Sequence, residues 1–380
     1  MPASDSHISK SLLDDLTYLA KVDAAKMRNI MLCLPESCLE AYDLAEDLEL
    51  PKRLSPPPRN IVFIGMGGSS IGGSLIRSWA SEKSKIPIGI CQDYHLPNFV
   101  DRYSFVVAVS YSGNTEETLS AFVEAVQRGC SVVSVASGGK LMEFSDELEI
   151  PCVRVPPGLP PRGALPYLFM PILSLVRRAG IDVDPVEKNE CVEVVRSLRN
   201  ELRPECKFEN NRAKQIAFDL IGFTPIVYGW GKYIPVAQRI KTQLNENSKI
   251  PAFWSMLPEG DHNDVIGWDG DKETSKRFCA VLIRESEEPE EIWNRIESTK
   301  RVVFAESLGK VIEIRANGRA PLARMFSVLY TGDFASLYMA ALRGVDPTPV
   351  KVIDRLKIEI AGNLSIVNFL ENKVKKMKGK

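Results

Sequence analysis

The sequence predicts an α/β fold of two parallel sheets, each flanked by helices in a three-layer sandwich, and three observations carry that expectation. Short apolar runs at residues 61–64, 86–91, 105–109 and 131–136 alternate with segments of helical period or helix length. Strands read this way when crossover helices cover both faces of a parallel sheet. Two of the runs end in loops rich in glycine and hydroxyls: residues 65–73 read GMGGSSIGG and residues 110–118 read SYSGNTEET. The same order then recurs. Aligned with Ile61, Ile226 lies in a strand that runs into the glycine loop Gly229-Trp230-Gly231. A helix at 235–245, a buried run at 279–283, a helix at 290–296 and a strand at 311–314 follow it.

Taken in order, residues 1–55 read as helices expected to pack on the first sheet, with Leu12, Leu13, Leu16, Leu19 and Val22 at helical spacing. The first sheet unit is expected over 56–185 and contains the cradle loop. Residues 186–211 are charged and helical, read as a linker, and the second sheet unit spans 212–345. Asp346-Pro347 opens the last region, 346–380, as a helix start with Val350, Ile353 and Leu356 as its apolar stripe. Residues 373–380 are expected to be a disordered basic tail.

Composition narrows the partner. At 380 residues the chain is long enough for two domains with full cores. Lys+Arg 48 against Asp+Glu 49 leaves a net charge of -1, so no overall field draws in nucleic acid or an anionic membrane, and a small ligand is expected. Eight cysteines without a CxxC pair, a polar start, and no apolar run near the ~20 residues of a membrane helix point to reduced thiols in a soluble, cytoplasmic protein. Only three histidines occur, no two near each other, which disfavours an imidazole metal site. Chemistry without metal or cofactor is expected.

The loop 110–118 is the strongest candidate site. A buried strand that ends in hydroxyls and glycine and passes into a helix gathers backbone N–H groups where an anion is held; the same composition also serves plain strand-to-helix turns. Residues 65–73 invite a dinucleotide reading, but Ser70 stands where the third small residue belongs, and the hydroxyls suit a single phosphate better. In the second copy the cradle position holds Arg284-Glu285-Ser286-Glu287-Glu288, acidic and without glycine, so one cradle per chain is expected.

Four further residues stand out. His262, between Asp261 and Asn263-Asp264, has the titration range for proton transfer, although lone histidines are more often structural. Glu246 ends a helix, where the dipole disfavours a carboxylate. Arg162 follows four prolines on a stiff loop and reads equally well as structural or functional. Lys357, on pattern alone, snorkels at a helix edge.

GMGGSSIGG together with SYSGNTEET resembles the sugar isomerase (SIS) domain. PPRGALPYLF, QLNENSK, HNDVIGW and DPTPVKVIDRLK resemble the bifunctional phosphoglucose/phosphomannose isomerases, over residues 58–360. That resemblance implies two SIS subdomains in a homodimer with a shared active site. It also implies reversible conversion of glucose 6-phosphate, and of mannose 6-phosphate, to fructose 6-phosphate through a cis-enediolate. Gly68, Ser69, Ser110, Ser112 and Thr115 would hold the phosphate. Glu246 would move the proton between C2 and C1, with Glu259 in reserve, and Arg162 would stabilise the enediolate. His262, from the other subunit, and Lys357 or the nearby Lys351 would open the sugar ring. A glutamine-dependent fructose 6-phosphate aminotransferase shares the paired subdomains but needs an N-terminal cysteine and an amidotransferase domain; residue 2 here is Pro2. A sugar-phosphate-sensing regulator would need neither Glu246 nor His262.

Overall fold

Among the described residues, nine strands form two sheets. In the computed structural model, which describes residues 9–51, 54, 57–363 and 366–378, the first sheet holds β1 (Asn60–Ile64), β2 (Ile88–Cys91), β3 (Ser104–Val109), β4 (Ser131–Ala136) and β5 (Cys152–Arg154). Its order is β2-β1-β3-β4-β5, with every pair parallel. Every residue of β3 and β4 is buried, so both faces are covered, as the unbroken apolar runs require. The helices that matter for the site are α1 (Gly68–Ala80), α2 (Glu116–Gln127) and α3 (Leu165–Arg178).

The second sheet repeats the plan with β6 (Thr224–Trp230), β7 (Phe253–Leu257), β8 (Phe278–Arg284) and β9 (Lys310–Arg315) in the order β7-β6-β8-β9, again all parallel. Its helices include α4 (Ile234–Glu246), α5 (Glu290–Thr299) and α6 (Pro321–Leu342). Helix α6 is long and apolar enough to cross a membrane, yet it is buried throughout as the core helix of this unit. Sequence periodicity misses it because apolar residues surround its whole circumference and leave no stripe. The expected linker is a helix, Pro185–Leu202, that belongs to this unit. Its Glu187 and Glu190 accept the N–H groups of Leu322 (3.0 Å) and Ala320 (3.1 Å), which have no intrahelical partner at the start of α6.

The two units divide the chain differently from the sequence expectation. Residues up to Pro35 group with Pro185–Pro349, and Glu36–Asp184 groups with the residues from Val350 onward. Tyr18 Oη donates to the Ala341 carbonyl at 2.7 Å and Tyr330 Oη to that of Met31 at 3.0 Å. Only from Glu36 does the chain turn to the first sheet's helices, where Tyr167 Oη donates to Glu40 at 2.9 Å. The N-terminal helices thus do not pack as one set on the first sheet: apolar spacing marks the buried face of a helix but not the surface it meets. The proposed 55/56 boundary lies outside the described residues.

Two terminal helices follow, α7 (Lys351–Asn363) and α8 (Ile366–Lys378). Helix α7 starts after Asp346-Pro347, and its stripe is exposed rather than packed, with Ile353 at 41% and Leu356 at 57%. The expected disordered tail is helical through Lys378; Gly379 and Lys380 lie outside the described residues. Leu370 and Val374 of α8 join the core of the first unit alongside Phe122, Leu141 and Phe144. Their four-residue spacing, interleaved with lysines, is that of an amphipathic helix.

Candidate functional site

The strand order reverses at β1, which has β2 on one side and β3 on the other. The loops leaving β1 and β3 therefore diverge and open a crevice at the carboxyl ends of the strands. The loop after β1 enters α1, whose first turn carries Gly68, Ser69 and Ser70. The loop after β3 runs from Ser110 to Thr115, which caps α2. The Tyr111 N–H donates to Ser69 Oγ at 3.1 Å and ties the two loops together. Ser110 is buried; its hydroxyl donates to Thr115 Oγ1 at 3.1 Å and accepts the Gly113 N–H at 3.1 Å. Ser112 is exposed and accepts the Asn114 N–H at 3.3 Å.

Gly113 is required by geometry: its φ is +70°, and a Cβ there would lie 1.8 Å from the Gly138 carbonyl oxygen. The Leu141 N–H donates to the Gly113 carbonyl at 2.8 Å, so the loop is braced from behind. Glu116 opens α2 half-buried, and burial first, then neighbouring Glu117, pushes its carboxyl above the ordinary value.

A third segment completes this wall. Arg162, 3% exposed, sits in the single helical turn Pro161–Gly163. A Cβ on Gly68 would lie 3.2 Å from the Pro161 carbonyl, so the first turn of α1 rests against the turn that carries Arg162. The structure thus brings together Gly68, Ser69, Ser110, Ser112, Thr115 and Arg162. It adds Tyr111, to which nothing in the sequence drew attention. Tyr111 is 5% exposed; its hydroxyl donates to the Pro156 carbonyl at 2.7 Å and accepts the Leu159 N–H at 2.9 Å.

In the second unit the corresponding place is filled by protein. Tyr228 pairs with Leu282 as Ile64 pairs with Ala108, and Pro289 caps α5 as Thr115 caps α2. Arg284 and the residues after it therefore take the place of Ser110 to Asn114. Buried Arg284 donates twice to the Glu288 carboxylate, at 2.8 and 2.9 Å, and Glu288 also accepts the Glu285 N–H at 2.9 Å. Glu285 in turn takes Lys232 Nζ at 2.9 Å and Tyr233 Oη at 2.6 Å. Carboxylates occupy the second cradle.

The proton-transfer candidates lie in this second unit. Glu246 is the half-buried last residue of α4. That helix is fixed to α6 by the buried Arg239–Asp333 pair (2.6 and 3.1 Å), by Asn247 Nδ2 to Ser336 Oγ (2.9 Å) and by Ser248 Oγ to the Ser336 carbonyl (2.7 Å). His262 is exposed at the end of the turn Glu259–His262. The acids beside it are engaged elsewhere: Asp261 takes Thr299 Oγ1 at 2.8 Å and Arg295 at 3.1 Å, and Asp264 takes Ser255 Oγ at 2.6 Å. Glu259 accepts from Asn263 at 3.0 Å. Lys351 and Lys357 are both exposed on α7.

Two parallel α/β units, one with an open hydroxyl-lined cradle and one with its cradle filled, define a paired SIS-domain protein. Residues 209–360 match the family described as bacterial phospho-glucose isomerase C-terminal SIS domain. The chain is 39% identical to the bifunctional phosphoglucose/phosphomannose isomerase of Caldicellulosiruptor bescii, over 86% of this chain and 97% of that one. It is 37% identical to its namesake from Aquifex aeolicus, over 84% and 94%. Among solved structures, the C-terminal domain of glucosamine-fructose-6-phosphate aminotransferase from Francisella tularensis superposes with a TM-score of 0.65 at 16% identity, covering 85% of this chain and 98% of that one, which is a likeness of fold. The chain belongs to the bifunctional phosphoglucose/phosphomannose isomerase family.

Proposed function

We propose that this protein interconverts glucose 6-phosphate, and mannose 6-phosphate, with fructose 6-phosphate by proton transfer through a cis-enediolate. The observation that carries the reading is the cradle itself, with buried Arg162 held against the first turn of α1. Hydroxyls and N–H groups at the start of a helix suit a phosphate, and a fixed guanidinium suits the oxyanion that forms when a proton leaves the carbon beside a carbonyl. In this reading Ser69, Ser110, Ser112 and Thr115, with the backbone at Gly68, bind the phosphate. Glu246 carries one proton between C2 and C1, which needs a carboxylate held firmly, and the two residues that follow it, Asn247 and Ser248, are bonded to α6.

His262 and Lys357 open the ring. Both are exposed, as is the apolar stripe of α7, which supports a homodimer in which His262 serves the partner's site. Arg162 supplies the positive charge, so no metal or cofactor enters the scheme, and the setting is cytoplasmic.

The test is the purified protein with fructose 6-phosphate, with glucose 6-phosphate and mannose 6-phosphate followed separately, with and without EDTA. Both aldoses should form and EDTA should leave the rates unchanged; absence of both products overturns the reading. Glu246→Gln should lower turnover by roughly 10²–10⁴-fold while sparing the binding of a 5-phosphoarabinonate-type analogue. Undiminished turnover in that variant moves the base to Glu259.

A further inference from the structure

Tyr111 lies in the cradle loop, but its ring and hydroxyl serve another segment. Its N–H holds Ser69 of the α1 turn, and its carbonyl accepts from both Ser137 N (3.0 Å) and Ser137 Oγ (2.6 Å), so its backbone is fixed to the cradle on two sides. Its hydroxyl is fixed to the proline loop by donating to Pro156 and accepting from Leu159. That loop leads through Pro160 directly into the turn that carries Arg162, and Gly163 N–H closes the turn on the Pro160 carbonyl at 2.8 Å.

We infer that Tyr111 is a positioning residue that sets Arg162 relative to the phosphate cradle, a role that rests on the reading of Arg162 proposed above. One rigid ring spans the cradle loop and the loop before Arg162, and both hydrogen bonds of its hydroxyl go to backbone atoms, so they fix the path of the chain. The prolines at 156, 157, 160 and 161 stiffen that path, and the tyrosine anchors it. The hydroxyl contributes nothing to the cradle's own hydrogen bonds, which run through Ser69, Ser110, Gly113 and Thr115. Loss of the hydroxyl therefore releases Arg162 and leaves phosphate binding intact. A small misplacement of a group that meets the transition state costs rate rather than ground-state affinity.

The experiment is a cycle of Tyr111→Phe, Arg162→Ala and the double variant, reading kcat, KM and competitive inhibition by inorganic phosphate. Tyr111→Phe should lower kcat by about tenfold to a hundredfold while the phosphate inhibition constant stays within about twofold. On the Arg162→Ala background the same change should have little further effect, because the two residues act through one guanidinium. Unchanged kcat in Tyr111→Phe, multiplicative losses in the double variant, or a parallel loss of phosphate affinity each overturn the positioning role. Full activity in Arg162→Ala overturns the role of Arg162 itself, and this inference with it, and is distinguishable from those outcomes because it appears in the single variant.

Discussion

Gly113 carries the most constrained backbone of the cradle. Any side chain there faces both an unfavourable φ and the Gly138 carbonyl, and relief requires the loop to move. Gly113→Ala is expected to destabilise the protein by at least about 2 kcal/mol and to weaken phosphate inhibition; thermal unfolding and inhibition assays check both. This glycine, with the serines around it, was legible in the sequence because the cradle's hydrogen bonds run mainly between near neighbours such as Ser110, Gly113 and Thr115. The part played by Tyr111 was not. Its hydroxyl partners lie 45 and 48 residues away, and no local pattern brings Pro156 and Leu159 to it.

Among the elements, α8 shows how a helix can hide beneath its charges. Five lysines from Lys373 onward suggest a solvated tail, while Leu370 and Val374 in the same stretch reach a core formed by residues some 230 positions earlier. An ion pair fastens the same helix: Lys140 Nζ lies 2.9 Å from Glu371. The hydrogen bond and charge of Lys140 hold the Glu371 carboxyl below its ordinary value of 4.5. A carboxyl depressed in the folded state contributes stability that is present above its unfolded value and lost as pH falls through the folded one. Acidification below about pH 4.5 is thus expected to release α8 earlier than the strands beneath it, by a small margin because the pair is at the surface. Amide exchange in α8 followed against pH, with Glu371→Gln as the reference that no longer responds, checks this. Helix α6 was unreadable for the opposite reason, since it lacks a polar face.

For the whole molecule, the repeated order of strands and glycine loops made the two-unit plan legible in the sequence. The assignment of connecting helices was not, because which unit a helix joins depends on contacts such as Tyr18 to Ala341 that span most of the chain. Glu246 and His262 drew attention in the sequence, yet both belong to the unit without an open cradle. If His262 serves a partner, then mixing inactive Glu246→Gln chains with inactive His262→Ala chains should restore part of the activity as hybrids form. No recovery, once subunit exchange has been verified by mass, argues for sites completed within one chain.

The pairing of Glu288 with Arg284 and the Glu285 N–H has a consequence for how the protein responds to its surroundings. The second unit carries its anion covalently, at a local concentration that no change in the medium alters. On the reading proposed above the first unit draws its anion from solution, so a phosphate ester is expected to stabilise the folded protein by the mass action of binding to it. The cradle of the first unit would then fill and empty with ligand supply, whereas that of the second keeps its carboxylates at any ligand concentration.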